Sequence, residues 1–297
     1  MNRKTRFYIY GILFQAVCLI ANFSALLFLI LVMNDVIADG WSGLSFDFLT
    51  GYPSRNPSSA GIMPAIAGTI YMMILTAMIA IPTGVGAAIF LEEYSQKAFL
   101  INFVKLNIQN LAGVPCIVYG ILGLTLYVRG FDIEIAGFSP GLGRSLLAGS
   151  LTMTLVILPI ITISTQEALR AVPDSFRLAG FGIGMTRWQV IYYQVLPLAL
   201  PGMTTGIILA LSRAIGEAAP LIMIGALTFV AFIPSNLMDP FTVLPIQIFN
   251  WTSRPQKDFH DLASAGIIVL LILLLIMNSA AIYLRIKFKR QMNEIYN

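Results

Sequence analysis

Charged residues are scarce in this sequence. Only 11% of its 297 residues are Asp, Glu, Lys or Arg, whereas 58% are hydrophobic and the mean hydropathy is +0.83. A soluble globular chain has about 25% charged residues. Because so few polar side chains cannot cover a folded chain of this length in water, the composition disfavours a soluble protein. It predicts a multi-pass membrane protein with lipid as its solvent.

The residues that build metal sites and catalytic centres are almost missing. His260 is the only histidine and lies in a polar loop, and the two cysteines, Cys18 and Cys116, fall inside apolar runs. Two thiols without neighbouring His, Asp or Glu indicate neither a metal site nor a disulfide framework. No Gly-Lys pair occurs, so the phosphate-binding loop of ATPases is absent. The sequence therefore predicts no enzyme and no cofactor of its own, and any active transport takes its energy from a partner or an ion gradient.

The net charge of +4 does not indicate a nucleic-acid-binding protein. The basic residues flank the apolar runs and form no stripe interleaved with aromatic residues. Their distribution follows the positive-inside rule instead. About twelve of them, including Lys97 and Lys105, share one side with both chain ends, and about five lie on the other. Both termini are therefore predicted to be cytoplasmic.

Six apolar runs are long enough to span a membrane, which takes about 20 residues. They cover residues 12–33, 63–91, 108–128, 146–165, 201–227 and 262–284. The first run is too long for a signal peptide and no small-x-small cleavage site follows it, so we expect it to be retained. The predicted fold is an all-α membrane protein with six transmembrane helices. It divides into a first helix and outer loop in residues 1–61, a transmembrane domain in 62–286 and a cytoplasmic tail in 287–297.

Two charges interrupt the fifth run, Arg213 and Glu217. An isolated charge at the bilayer centre costs about 2.5–3.5 kcal/mol. The i,i+4 spacing puts both on one helical face, where each partly neutralises the other. Two interpretations remain open. Either Arg213 offers its planar guanidinium to an oxyanion in a translocation pathway, or the pair is an internal staple or a contact with another subunit.

Two further segments carry breakers of regular structure. Gly113 and Pro115 weaken the third run near its start, and their spacing does not decide between a break and an ordinary helix start. The connection over residues 166–200 is too long for a turn and contains Pro173 and Pro197. It predicts one or two short helices at the cytoplasmic membrane surface.

Residues 172–226 resemble the permease subunits of type I ABC importers. The cytoplasmic signature of that family is Glu-Ala-Ala, three residues and Gly, followed by a stretch that ends near Leu-Pro. In the run Arg177-Leu-Ala-Gly-Phe-Gly-Ile-Gly184 and the following Leu196-Pro197, the family residues are present at Ala179, Gly184 and Pro197. Leu178 replaces the Glu and Gly180 the second Ala. The resemblance implies coupling helices that dock into an ATPase subunit and bend at Gly184; the implied coupling residues are Arg177, Leu178, Ala179, Gly180, Gly184 and Pro197.

Within that family, the sequence is most similar to the A-type phosphate permeases. The likeness is strongest in Arg213-Ala-Ile-Gly-Glu-Ala-Ala-Pro-Leu221, where Ala218 stands in for the usual Thr. It extends to Pro115-Cys-Ile-Val-Tyr-Gly120 and to Leu244-Pro-Ile-Gln-Ile-Phe249, whereas Ile163 stands where the family often has Arg. The resemblance implies import of inorganic phosphate across a bacterial inner membrane, with Arg213 and Glu217 in the anion pathway.

The same resemblance implies the partners of the chain. These are a second permease subunit of similar fold, two ABC ATPase subunits that hydrolyse ATP, and an external phosphate-binding protein. Three alternatives stay open: a permease for another oxyanion such as phosphonate, sulfate or molybdate, a membrane-embedded enzyme, and a scaffold or sensor that transports nothing. The near-absence of catalytic residue types disfavours the enzyme.

Overall fold

The computed structural model describes residues 3–94, 99–130, 141–226 and 229–296. Two predicted features, Lys97 and the end of the fifth apolar run at Leu227, lie outside these ranges. Within them the chain forms α-helices and no strand. The helices are α1 (Arg3–Gly40), α2 (Phe46–Thr50), α3 (Met63–Ile89), α4 (Phe99–Ala112), α5 (Cys116–Gly123), α6 (Leu146–Arg170), α7 (Asp174–Gly182), α8 (Arg187–Val190), α9 (Leu196–Gly216), α10 (Ala219–Met223), α11 (Leu244–Thr252) and α12 (Lys257–Tyr296).

Three π-helical turns extend or join these helices. Phe90–Tyr94 continues α3, Leu124–Val128 continues α5, and Ile191–Val195 joins α8 to α9. Because of the last turn, α8 is the first part of the same long helix as α9 rather than a separate surface helix. Of the predicted surface segment, only α7 is therefore a free-standing short helix.

Five helical segments in the described part of the chain are long and apolar enough to cross a membrane. They are Tyr10–Gly43, Met63–Tyr94, Leu146–Arg170, Arg187–Gly216 and Lys257–Lys287. A sixth crossing results if Ile101–Ala112 and Cys116–Val128 count as one span, although the two are bent by 106°. The predicted all-α membrane fold is confirmed.

The choice that the spacing of Gly113 and Pro115 left open is decided in favour of a break within the run 108–128. Helix α4 ends at Ala112 and α5 begins at Cys116, directly after Pro115. Pro115 has no N–H to donate to the Leu111 carbonyl, which a continuous helix requires. That carbonyl accepts the Tyr119 hydroxyl instead, over 2.7 Å. The side chain of Tyr119 thus ties α5 to α4 across the bend.

The fifth predicted helix is also shorter at its far end than expected. It ends at Gly216 rather than continuing to residue 227, and the short helix α10 follows. Pro220 has no N–H, so the hydrogen bond to the Gly216 carbonyl that a continuous helix would need cannot form. The break falls directly beside the charged pair that the sequence singles out.

Helix α6 forms the centre of the bundle, between α3 and α9. Gly202 and Gly206 of α9 face Ala168 and Ser164 of α6. A Cβ atom at Gly206 would lie only 2.1 Å from the Ser164 hydroxyl oxygen. Such small residues let two transmembrane helices pack at close range. This contact sets the position of α9, and with it the position of the charges near its end.

Helix α1 lies outside this core. Its most apolar stretch has no buried residue, whereas Gly40 near its end is buried against α12. A Cβ atom at Gly40 would lie 2.6 Å from the backbone of Ser264, so the two helices cross at close range there. Between Ile12 and Val32 most side chains of α1 are apolar and exposed, as in a lipid-facing helix.

Candidate functional site

Arg213 and Glu217 lie where α9 ends. Arg213 is in the last helical turn, whereas Glu217 follows Gly216 with an extended backbone (φ −82°, ψ 112°). Arg213 Nε donates to Glu217 Oε1 over 3.2 Å. The ion pair that the i,i+4 spacing predicts is therefore present, but it closes across a helix terminus rather than along a continuous helix.

The Arg213 guanidinium is only partly occupied by this bond. Its side chain is 50% exposed, while that of Glu217 is 19% exposed. Among the residues that the structure describes, nothing accepts a hydrogen bond from Nη1 or Nη2 of Arg213. Two neighbouring nitrogens with free N–H groups form the planar fork that binds oxyanions in a bidentate manner.

Two broken helices meet beside this pair. The Cys116 thiol, in the first residue of α5, lies near the Glu217 carboxylate. Helices α5 and α10 pack closely, since a Cβ atom at Gly120 would lie 2.8 Å from Pro220 Cα and 2.7 Å from Met223 Cβ. Interrupted helices at membrane depth are tolerated where they are buried in protein or line a water-filled path, and transporters bind their substrates at such breaks.

The predicted coupling residues lie in α7, between α7 and α8 and at the start of α9, and the chain of this unit bends between α7 and α8. Gly184 lies between α7 and α8 with φ +81°, a left-handed conformation that favours glycine. The bend that the family resemblance implies there is present. Gly180 is buried against Val190, at a distance where a Cβ atom would lie 2.8 Å from a Val190 methyl group. Pro197 is partly buried in the first turn of α9.

The outer face of this unit is apolar and exposed. Leu178 is 69% exposed and Ile183 75%, and Ala179 beside Leu178 is exposed as well. The rings of Trp188, Tyr192 and Tyr193 follow one another with centroid distances of 6.2 and 5.1 Å. We call the following set the docking surface: Leu178, Phe181, Ile183, Trp188, Tyr192 and Tyr193. Leu178, Phe181 and Ile183 lie outside the membrane-spanning segments, where exposed apolar groups are typical of a protein–protein contact, and the three rings lie at the start of the span Arg187–Gly216 beside them.

Arg177 lies in the same segment but points inward. Its Nη2 donates to Glu93 Oε1 over 2.6 Å and to the Leu169 carbonyl over 2.9 Å, and its Nη1 donates to the Val172 carbonyl over 2.8 Å. Hydrogen bonding to Glu93 raises the pKa of the Arg177 guanidinium above its ordinary value, although burial opposes that rise. Arg177 is thus an attachment of α7 to the bundle and is not part of the docking surface.

The sequence analysis missed Glu92 and Glu93, which bind the basic residues of this end. Glu92 accepts from Lys105 of α4 and from Arg170 of α6, while Glu93 accepts from Arg177. The available signal was two successive acids at the end of an apolar run, on the side where basic residues otherwise prevail. A pair of buried acids there requires basic partners.

The chain is similar to known membrane transport proteins. Residues 80–290 match the profile of the family described as "Binding-protein-dependent transport system inner membrane component". The "Probable ABC transporter permease protein YqgI" of Bacillus subtilis (strain 168) is 31% identical over 265 residues, which are 85% of this chain and 87% of that protein. The "Phosphate transport system permease protein PstA" of Xylella fastidiosa (strain Temecula1) is 32% identical over 253 residues, 83% and 82% of the two chains.

The fold has a counterpart among solved structures. A bacterial ABC transporter "involved in the import of the acidic polysaccharide alginate" superposes with a TM-score of 0.68 at 17% identity. The match covers 96% of this chain and 99% of that one. At this identity the likeness concerns the arrangement of helices alone.

Proposed function

The chain belongs to the family of binding-protein-dependent transport system inner membrane components, and on that premise we propose that its substrate is inorganic phosphate. It is a multi-pass permease of an ABC importer, hence a transport subunit rather than an enzyme. In the proposed function it moves phosphate from an external binding protein to the cytoplasm, driven by ATP that partner subunits hydrolyse.

The observation that carries this proposal is the half-exposed Arg213 inside a membrane span. A guanidinium whose two Nη groups bond none of the described residues presents a planar donor fork to a tetrahedral oxyanion. Glu217 holds the remaining Nε–H and neutralises the charge while no anion is bound. A site with one cation and one anion attracts phosphate without holding it permanently, which a pathway needs in order to release its cargo.

The choice of phosphate among oxyanions is supported by the relatives. The PstA protein of Xylella fastidiosa carries phosphate transport in its name, whereas the name of the Bacillus subtilis protein specifies no substrate. The A-type sequence around Arg213 points the same way. Phosphonate, sulfate and molybdate have similar charge and shape, so they are the competitors that a test of the substrate has to include.

The partners follow from the proposed function. The docking surface is the contact that we assign to an ATPase subunit, and a complete importer has two such subunits below two permeases of similar fold. The basic end of the bundle then faces the cytoplasm, together with both termini. No cofactor is assigned to this chain itself.

The experiment that tests the substrate is uptake into proteoliposomes. The chain is co-expressed with its partner permease, ATPase and binding protein, and uptake of radiolabelled phosphate is measured with ATP inside the vesicles. We expect ATP-dependent uptake that unlabelled phosphate suppresses and that a tenfold excess of sulfate or molybdate leaves nearly unchanged. Equal suppression by sulfate or molybdate contradicts phosphate as the substrate while leaving an oxyanion permease in place.

A further inference from the structure

The end of α3 that is predicted to be cytoplasmic holds two successive carboxylates which bind basic side chains from three other elements. Glu92 Oε2 lies 3.1 Å from Lys105 Nζ of α4, and Glu92 Oε1 lies 2.9 Å from Arg170 Nε at the end of α6. Glu93 Oε1 lies 2.6 Å from Arg177 Nη2 of α7. The end of α3 therefore connects α4, α6 and α7.

The Glu93–Arg177 pair is the most shielded of these contacts. The Glu93 side chain is 9% exposed and that of Arg177 is 17% exposed. Arg177 also donates to the carbonyls of Leu169 and Val172 and to Asp174, which lies in the first turn of its own helix. One guanidinium thus joins the end of α3, the end of α6 and the start of α7. Removing Glu93 would leave Arg177 with the exposed Asp174 as its acidic partner, and removing Arg177 would leave the shielded Glu93 carboxylate without its basic partner; both changes are costly.

The other side of α7 faces outward. Leu178, next to Arg177 in sequence, is 69% exposed and belongs to the docking surface. In the proposed function a force from the ATPase acts on that surface. Because Arg177 is the side chain of α7 that is bonded to α3, a movement of α7 passes through the Glu93–Arg177 pair to the end of α3.

From there a series of direct contacts continues to the charged pair. Glu92, adjacent to Glu93, binds Lys105 in α4. Helix α4 is tied to α5 across the bend by the bond from Tyr119 to the Leu111 carbonyl. Helix α5 packs against α10, which follows Glu217 directly, and a Cβ atom at Gly120 would lie 2.8 Å from Pro220 Cα. Each step is an ion pair, a hydrogen bond, a close packing contact or a continuous stretch of chain.

We propose that the Glu93–Arg177 pair is the joint that transmits movement of α7 to α3 and, through Glu92 and Lys105, to the α4–α5 unit beside Arg213 and Glu217. Glu93 and Arg177 are positioning residues that touch neither the substrate nor the ATPase. The proposal rests on the proposed function, because it takes the docking surface as the ATPase contact. A joint of this kind couples two sites only if its loss changes the coupling between them, and that coupling is measurable.

The test measures the number of anions moved per ATP hydrolysed by the complete complex in proteoliposomes. In Glu93→Gln and in Arg177→Met we expect ATP hydrolysis to continue while this ratio falls at least about fivefold, the lower end of usual coupling effects. In Arg177→Lys, which keeps the charge but not the fork, we expect a smaller fall. An unchanged ratio in these variants overturns the proposal.

The double variant Glu93→Gln/Arg177→Met separates a joint from a purely structural pair. Removing both charges together relieves the charge imbalance at this buried contact that each single change leaves, so the thermal stability of the complex should recover towards the wild-type value. The transport ratio should stay low, because the connection is still missing. Recovery of the ratio together with stability contradicts transmission through this pair.

The matched control is Glu167→Gln. It breaks the pair between Glu167 and Arg170 at the same end of the bundle, whose side chains are 62% and 41% exposed. We expect an unchanged ratio, and a fall equal to that of Glu93→Gln would refute a specific role. Failure of the substrate assignment is distinguishable, since a wild-type complex that moves another oxyanion instead of phosphate still gives a ratio for every variant.

Discussion

The molecule contains two Arg–Glu pairs that differ in how much of the guanidinium is used. Arg177 bonds Glu93, Asp174 and two backbone carbonyls, and is 17% exposed. Within the described ranges Arg213 makes one bond, from Nε to Glu217, and is 50% exposed. The first pair holds three elements together and has no donor geometry left for a ligand. The second presents donors to its surroundings. The same two residue types thus attach α7 to the bundle in one place and present hydrogen-bond donors to a ligand in the other.

The largest expected effect comes from removing the guanidinium of the second pair, Arg213–Glu217. Arg213→Ala should reduce phosphate uptake roughly tenfold or more, since charge-assisted hydrogen bonds contribute about 1.5–3 kcal/mol each. Complex assembly should persist because half of this side chain is exposed and no core contact depends on its charge. Uptake and co-purification with the ATPase are measured on the same membranes. Undiminished uptake would refute a pathway role for Arg213.

The next effect concerns the outward side of the unit that Arg177 attaches. Gly184→Pro should abolish co-purification with the ATPase while leaving membrane insertion intact. Proline fixes φ near −65°, whereas Gly184 has φ +81°, so the bend between α7 and α8 cannot form. The control is Gly184→Asn, because Asn adopts the left-handed conformation more readily than other residues. Loss of ATPase binding in both variants would show that side-chain volume, not backbone conformation, is decisive.

The two Arg–Glu pairs differ in how far the sequence alone predicts them. The membrane class follows from composition, and the Arg213–Glu217 pair from its i,i+4 spacing, because both depend on local pattern. At the bend between α4 and α5 the Leu111 carbonyl accepts from the nearby Val114 N–H over 3.0 Å and from the Tyr119 hydroxyl over 2.7 Å, and the second bond forms only when α5 has folded against α4. Glu93 and Arg177 are 84 residues apart, so no local pattern connects them.

The inward orientation of Arg177 illustrates the same limit. The family signature places it in the ATPase-coupling segment, next to Leu178, and a charged residue in a cytoplasmic loop is ordinarily solvated. Its burial is decided by a carboxylate on α3 and by the carbonyls of Leu169 and Val172 near the end of α6. Helix ends leave such carbonyls without intrahelical donors, and a basic side chain is a common partner for them.

An effect of intermediate size is expected when Arg177 and Arg213 are each replaced by lysine. Lysine keeps the charge of arginine but lacks the planar fork. Arg177→Lys should lower the thermal denaturation midpoint of the complex by a few degrees, since several bonds to buried acceptors are lost. Arg213→Lys should leave that midpoint unchanged and lower uptake instead. The opposite pattern, with greater destabilisation at position 213, would contradict the division into attachment and presentation.

A smaller effect is expected at the contact behind the second pair. Cys116→Ser keeps a donor for the Glu217 carboxylate, so uptake should stay close to the wild-type rate. Cys116→Val is similar in volume but has no donor, and uptake should fall about twofold, since a weak hydrogen bond contributes at the low end of 0.5–1.5 kcal/mol. Initial uptake rates of the two variants, compared side by side, measure the difference. Equal rates would mean that Glu217 does not need the thiol.

The smallest effect belongs to the docking surface, where Leu178 stands in place of the glutamate that the family signature has. Leu178→Glu should fold normally because the side chain is 69% exposed and packs against no core residue. Any gain in ATPase affinity should stay below about fivefold, as expected for one exposed ion pair. Ala179→Glu places the same charge on the neighbouring exposed position and serves as the control. Binding of the ATPase to immobilised complex distinguishes them. An equal gain in both variants would indicate general charge attraction, whereas a gain confined to position 178 would mean that the ATPase keeps a partner for the family glutamate.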